Sequence, residues 1–284
     1  MTLLSTEAIL AGVRELPALP AVVLELIQSL GDTDANTDQL AARIARDQGL
    51  AAKTLRLANS SFYGMPRQVT SIADATTILG WRTVRSVATA AGLTAMMHTP
   101  DCPGFDFKAF WRHAIGTALC AASLARGTPL DEGLGFTAGL LHDLGRLALA
   151  SSFAGPYAQV LRHRGECDGP VLESERAVLG TDHAAVGSLL AEHWCFASCM
   201  VEAIAAHHEP QPLTSRPGPA DLADLVHVAD NMAHALDLSH ADDDLVPPLS
   251  MAAWSRLDLN ERRCVEVVRE VRMQHEAVCN AILS

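Results

Sequence analysis

Apolar residues recur along this chain at helical spacing, and the strict alternation of half-buried strands is nearly absent. After Pro20, residues Val23, Ile27 and Leu30 form one stripe, widened by Leu26, and Leu40, Ile44 and Leu50 carry the period onward. Ser71 reads as an N-cap, with Asp74 three residues later and Gly80 as the stop, and Trp81 opens the next helix. Phe107 to Ala125 predicts a long helix ended by Gly127. Gly133 to Ala150 predicts another, apolar on nearly all sides and therefore central. Asp182 to Trp194, Cys199 to His208 and Ala220 to Leu236, the last after a Pro-Gly-Pro turn, follow. Asn260 to Leu283 closes the chain as an amphipathic helix, with Cys264, Val268, Val271, His275, Val278 and Ile282 on one face. The expectation is an all-α fold in two lobes. The segment from His98 to Asp106, with Pro103-Gly104, is the best internal boundary, and Gln211 to Pro219 is a second loop. Residues 1–100 would form an N-terminal helical bundle packed on a second helical lobe, 101–284, that includes the C-terminal helix.

Composition narrows the class. The chain has 284 residues, 49% hydrophobic and 19% charged, enough to bury a sizeable core and unlike a disordered protein. A net charge of -12 repels phosphate backbones, so direct nucleic-acid binding is not expected. The seven cysteines show no C-x-x-C pair and read as reduced thiols in a cytoplasmic protein. Cys195 and Cys199, four apart, read as core packing. The N-terminus lacks the basic region of a secretory signal. The mildly apolar run from Ser86 to Met97 is shorter than the roughly 20 residues that span a bilayer.

The candidate chemistry lies in the second half. In order come His113, His142-Asp143, His183, His207-His208 and Asp230. A His-Asp doublet followed by a His-His doublet is unusual, and these residues could hold two metal ions. A two-metal hydrolytic site places its ions about 3.5–4 Å apart, and neutral imidazoles with carboxylates suit Fe, Mn, Zn or Co. Asp143, with two oxygens, is the candidate bridge. His113, His142 and Asp230 would complete one ion, and His183, His207 and His208 the other. Each sits on a separate predicted helix or helix end, as in a site built inside a bundle. Taken singly, each reads more readily as an ordinary surface or core residue than as a ligand, and His98, His163, His193, His227, His234, His240 and His275 are read as ordinary. Arg146, three residues after Asp143, shares its face and could meet a phosphate or form a simple salt bridge. Arg43, Arg46, Lys53, Arg56, Arg67, Arg82 and Arg85 read first as a solvated helical face, with a basic patch facing a ligand or partner as the alternative. The segment Phe62-Tyr63-Gly64-Met65-Pro66 reads as an aromatic loop between helices, either exposed as an interaction surface or packed back on the bundle.

Several stretches resemble the HDOD family, the HD-related output domain of bacterial signalling proteins. They are the opening LPALPAVVLELIQSLGDTDANTDQLAARIARDQGLAAKTLRLANSSFYG from Leu16, then VTSIADATTILGWRTVRSVA from Val69, GLLHDLGRLAL from Gly139, LGTDHAAVGSLLAEHW and AIAAHHEP. The likeness runs from about Leu16 to Leu236. It implies an all-helical fold within the HD superfamily of metal-dependent phosphohydrolases. Many HDOD members have lost metal ligands and act as signalling modules. Here the seven candidate ligands match the two-metal pattern of the related HD-GYP cyclic-di-GMP phosphodiesterases. The chain departs from those enzymes at three places. Glu209-Pro210-Gln211 follows His207-His208 where a GYP signature would begin, Arg146 replaces a lysine, and Ala109 stands where an acidic ligand is expected one turn before His113.

Two functional expectations follow. The first is a regulatory HDOD protein that retains a dinuclear metal site and acts through a signalling protein partner or a nucleotide-type small ligand. The second is a metal-dependent phosphodiesterase acting on a cyclic dinucleotide or nucleotide, with Asp143 and Arg146 as its catalytic pair. No Walker-type loop and no Gly-x-Ser-x-Gly motif is present, so NTPase and serine-hydrolase readings lack support. No receiver or kinase domain fits beside the resemblance, so the signal would come from another chain or a small ligand. Membrane insertion is not expected.

Overall fold

The computed structural model describes residues 3–29, 36–59, 68–96, 99–212, 215–216, 218–241 and 244–283. The aromatic segment Phe62 to Pro66, with Ser60, Arg67, Met97, His98 and Pro217, lies outside them. Among the described residues all regular structure is helical. The first part of the chain holds α1 (Thr6–Glu15), α2 (Ala21–Gln28), α3 (Thr37–Arg46), α4 (Gln48–Ala58), α5 (Ile72–Leu79) and α6 (Trp81–Met96). Then follow α7 (Phe107–Ala125), α8 (Glu132–Leu141), α9 (Leu144–Ser152), α10 (Ala154–Cys167) and α11 (Val171–Leu179). The last part holds α12 (His183–His193), α13 (Ser198–Ala206), α14 (Leu222–Ala235), α15 (Met251–Arg256) and α16 (Glu261–Leu283).

Helix starts follow local capping chemistry. Ser5, Asn36, Asp47, Ser71, Asp106, Asp131, Asp182, Asp221 and Ser250 each accept a hydrogen bond from a backbone N–H of the first turn. At Asp221 the bond is reciprocated by Asp224, a complete capping box. Gly80 and Gly127 take positive φ at the ends of α5 and α7, as their positions in the sequence predict.

Helix α7 is the axis of the molecule. It is lined all round by small and apolar residues, so almost every side chain is buried, and it packs against α8, α14 and α16. One continuous apolar core joins Ile9, Val23 and Leu93 to Trp111, Ile115, Leu225 and Val271. A smaller core around Leu26, Ile44, Ile72 and Val84 lies among α2 to α6. Helix α1 packs on α9 and α12, and the Ser152 hydroxyl donates to Gly12 O. The Asn59 side chain bonds both the N–H and the C=O of Val69, at 2.7 and 2.8 Å, clasping the two flanks of the segment between them.

Four expectations are corrected. The helix predicted from Gly133 to Ala150 is two helices, broken where Asp143 leaves the helical region at φ -95°, ψ 10°; periodicity continues through such a break because both halves are apolar. Arg85 is no solvated residue: it is buried and donates to Ser29 O at 2.6 Å. Cys195 and Cys199 are exposed, because Cys195 falls in the turn after α12 at positive φ. On α16, Val267 and Cys279 are buried while Cys264 and Val268 are only partly so.

Candidate metal centre

The break between α8 and α9 places the His-Asp doublet. Gly145, the second residue of α9, lies against α12: a Cβ there would fall on the His183 carbonyl and within 2.7 Å of Gly187 N. That close approach sets Asp143, the N-cap of α9, beside His183, the first residue of α12. Gly139 allows the same intimacy between α8 and α7, since its Cβ would sit 2.8 Å from the Ala118 Cα. It holds His142 over His113. The His207-His208 pair follows the end of α13, and Asp230 comes from the middle of α14.

All seven predicted ligands converge. His183 Nε2 lies 3.2 Å from Asp143 Oδ1, and His207 Nε2 and His142 Nε2 lie 3.7 Å from the same oxygen. His113 Nε2 is 2.9 Å and His142 Nε2 3.4 Å from Asp230 Oδ1. Two pairs of imidazole nitrogens face each other, His113 with His142 at 3.3 Å and His183 with His208 at 2.8 Å. Asp143, His183, His207 and His208 form one group able to hold an ion; His113, His142 and Asp143 form a second. His113, Asp230 and His234 form a third. Asp143 is common to the first two groups.

The donor set fits metal ions on its unmet chemistry. Asp230 is 1% exposed, and neither of its oxygens accepts an aligned hydrogen bond despite the imidazoles within reach; His207 Nε2 is likewise buried without a partner. Buried groups of this kind are costly unless something compensates them. Three outer nitrogens, by contrast, are well served, while His113 Nδ1 is buried without a partner. His142 Nδ1 and His207 Nδ1 donate to Gly139 O and Ile204 O, both at 2.7 Å. His183 Nδ1 donates to Glu175 Oε2 at 2.6 Å. These bonds fix the tautomer and leave Nε2 facing inward.

Electrostatics divide the imidazoles. Burial drives His113, His207 and His208 below the ordinary histidine value, which favours the neutral form that binds metal. Burial opposes charge on His183 too, but the Glu175 and Asp143 carboxylates outweigh it and raise that ring to about 10. Asp143, although buried, is held well below the carboxylate range by His142, Arg146 and His183.

Arg146 lies where its spacing put it. Its Nη1 donates to Asp143 Oδ2 at 3.0 Å, so the guanidinium is engaged with the central carboxylate. Two residues escaped the sequence reading. Glu175, on α11, is fully buried and takes bonds from Tyr157 Oη at 2.9 Å and from both the backbone and the ring of His183. His234, read as an ordinary histidine, lies with Nε2 3.3 Å from Asp230 Oδ1; the signal for it was its place one helical turn after Asp230. His227 and His275 are buried and bonded to the backbone elsewhere, in keeping with the ordinary reading.

A cavity of 340 Å³ opens onto this cluster, with His113, Asp143, His183, His208 and Asp230 in its floor. Its walls mix apolar residues such as Phe105, Phe110 and Val246 with Arg146, Arg164 and Arg176. Arg176 is committed to Asp182 and Glu209. None of the helices among the described residues is long and apolar enough to cross a membrane.

Comparison with known proteins agrees with this architecture. The chain superposes on an HDOD domain protein of unknown function from Geobacter sulfurreducens with a TM-score of 0.79, at 25% identity and covering 98% of both chains. A candidate phosphohydrolase from Shewanella amazonensis gives a TM-score of 0.75, at 25% identity and 96% of both chains. An uncharacterized protein of Treponema pallidum is 25% identical over 199 residues, which is 69% of this chain but 38% of that protein. The chain thus spans well under half of that relative's length. Residues 16–210 match the HDOD domain family, and the chain belongs to it.

Proposed function

We propose that the chain is a regulatory HDOD module of the bacterial cytoplasm whose two-metal centre, bridged by Asp143, binds a phosphate-bearing ligand and passes its state to a protein partner. The supporting observation is the convergence of these seven imidazole and carboxylate side chains, with His183 and His207 gathered at Asp143, His113 at Asp230 and His142 between the two buried carboxylates. Each side chain has a definite part. His113, His142 and Asp230 hold one ion, His183, His207 and His208 the other, and Glu175 fixes the His183 ring. Bound transition-metal ions would polarise a phosphoryl oxygen and supply the charge that holds a phosphate in the cavity. The regulatory reading is preferred because Arg146 is tied to Asp143 and Arg176 to Asp182 and Glu209, so neither is free to clamp a transferring phosphoryl group.

A second reading, a metal-dependent phosphodiesterase, is favoured by one observation: the cavity opens directly onto the ligand cluster, giving a substrate access to it. Metal-loaded protein assayed for cyclic-di-GMP hydrolysis, with a His142→Ala/Asp143→Ala variant alongside, separates the two. Binding without turnover supports the regulatory module. Turnover that vanishes in the variant makes the protein an enzyme.

A further inference from the structure

Every inward-facing histidine whose outer nitrogen has a partner follows one wiring rule. In His142, His183 and His207, Nδ1 donates to an oxygen outside the cluster and Nε2 points at Asp143 or Asp230. His234 obeys the same rule. Its Nδ1 is bonded to the Asp244 carboxylate, and its Nε2 lies 3.3 Å from Asp230 Oδ1. Asp244 is itself held in place: the Ser239 hydroxyl donates to its other oxygen at 2.6 Å, and Ala241 N donates to that hydroxyl at 3.0 Å. A carboxylate that grips the outer nitrogen of an imidazole is the usual support of a metal-bound histidine; Glu175 holds His183 in the same way.

The rule discriminates. His227 Nδ1 donates to His207 O, but its Nε2 accepts from Ser250 N at 2.8 Å, so no nitrogen is left for an ion. His275 turns its Nε2 to Arg112 O, away from the cluster. Among the described residues, His234 is the one histidine read as ordinary that faces the site carboxylates. Its ring stacks on His113 at a centroid distance of 4.3 Å, and His113, Asp230 and His234 each bring a donor atom within 4.8 Å of one another. Asp230 is buried with both oxygens lacking an aligned partner, which supplies an anionic ligand aimed into this group.

We infer that His234 is an eighth metal ligand, completing the ion held by His113 and Asp230, and that Asp244 is its positioning residue. The inference rests on the proposed metal centre. It leaves the Asp143, His183, His207, His208 ion independent of α14's last turn. It also links one ion to the segment after α14, because Asp244 lines the cavity together with Val246 and Pro247.

The test is metal stoichiometry and affinity, with Mn(II) and Co(II) as probes, on the full chain, His234→Ala and Asp244→Asn, with helicity checked by circular dichroism. The wild type is expected to hold two ions. Asp244→Asn, which keeps the side-chain shape, is expected to weaken one of them about 10- to 100-fold and to leave the other unchanged. His234→Ala is expected to retain one ion, and the Co(II) visible spectrum of the lost ion should disappear while that of the retained ion persists. Two ions at wild-type affinity in both variants would overturn the inference and leave the metal centre standing. Loss of both ions in folded Asp244→Asn would overturn the assignment to a single ion. A wild type that takes up neither metal would sink the metal centre itself. Should His234→Ala fail to fold, Asp244→Asn decides alone.

Discussion

At the scale of single residues, the site is a set of imidazoles held from behind. Asp143 should be the most sensitive position, since two of the three donor groups include it and its carboxylate is the proposed bridge: Asp143→Ala is expected to lower metal content sharply by elemental analysis. Glu175→Gln should act more gently. It keeps the shape but removes the charge facing His183, and a roughly 10- to 100-fold loss of affinity is expected for the His183 ion, read by competition with a chromogenic chelator. The seven candidate ligands were legible because doublets of His-Asp and His-His stand out against a helical background. Glu175 and His234 were not. A lone buried carboxylate on a helix that periodicity did not single out carries no local mark, and the Asp230–His234 spacing becomes meaningful only once Asp230 is known to face inward.

At the scale of elements, the site depends on close helix contacts. The α9–α12 crossing leaves no room at Gly145, because the obstacle is backbone on both sides. Gly145→Ala should therefore cost about 3 kcal/mol in denaturant unfolding, at the upper end of overpacking penalties, and should weaken metal binding by moving Asp143 from His183. A second element-level feature is the buried Asp224 carboxylate, which joins α14 to Arg256 of α15 and to Arg216. Burial opposes its charge, but Arg256 and the Asp221 N–H hold its pKa below the usual 3.8. Its contribution is thus present above that value and is lost as pH falls through the lower folded-state value. Asp224→Asn should destabilise the protein by about 3–5 kcal/mol at neutral pH, and the gap from wild type should shrink on acidification below pH ~4. Thermal unfolding across pH checks both. Of the elements, α7 and its glycine stop were readable from the sequence, whereas the break at His142-Asp143 was hidden by apolar residues on both sides of it.

At the scale of the whole molecule, residues of α1, α2, α4 and α6 share a core with α7, α14 and α16. The proposed lobes should accordingly melt together, and limited proteolysis near Pro103 should release no stable fragment; a surviving N-terminal piece would contradict this. Ions that bind only the folded protein should add about 2.7 kcal/mol per site at a hundredfold excess over Kd, visible as a rise in Tm that a chelator reverses. The ligands also come from widely separated stretches, His113 on α7 at one end and Asp230 on α14 at the other. Loaded with metal, the chain is cross-linked across that interval much as a disulfide would link it, though by bonds that a chelator can undo. Under tension in an optical trap, the loaded protein should first release only the segments outside His113 and Asp230. The loop between them should extend in a second, abrupt step when the ions let go, and a chelator should merge the two steps into one.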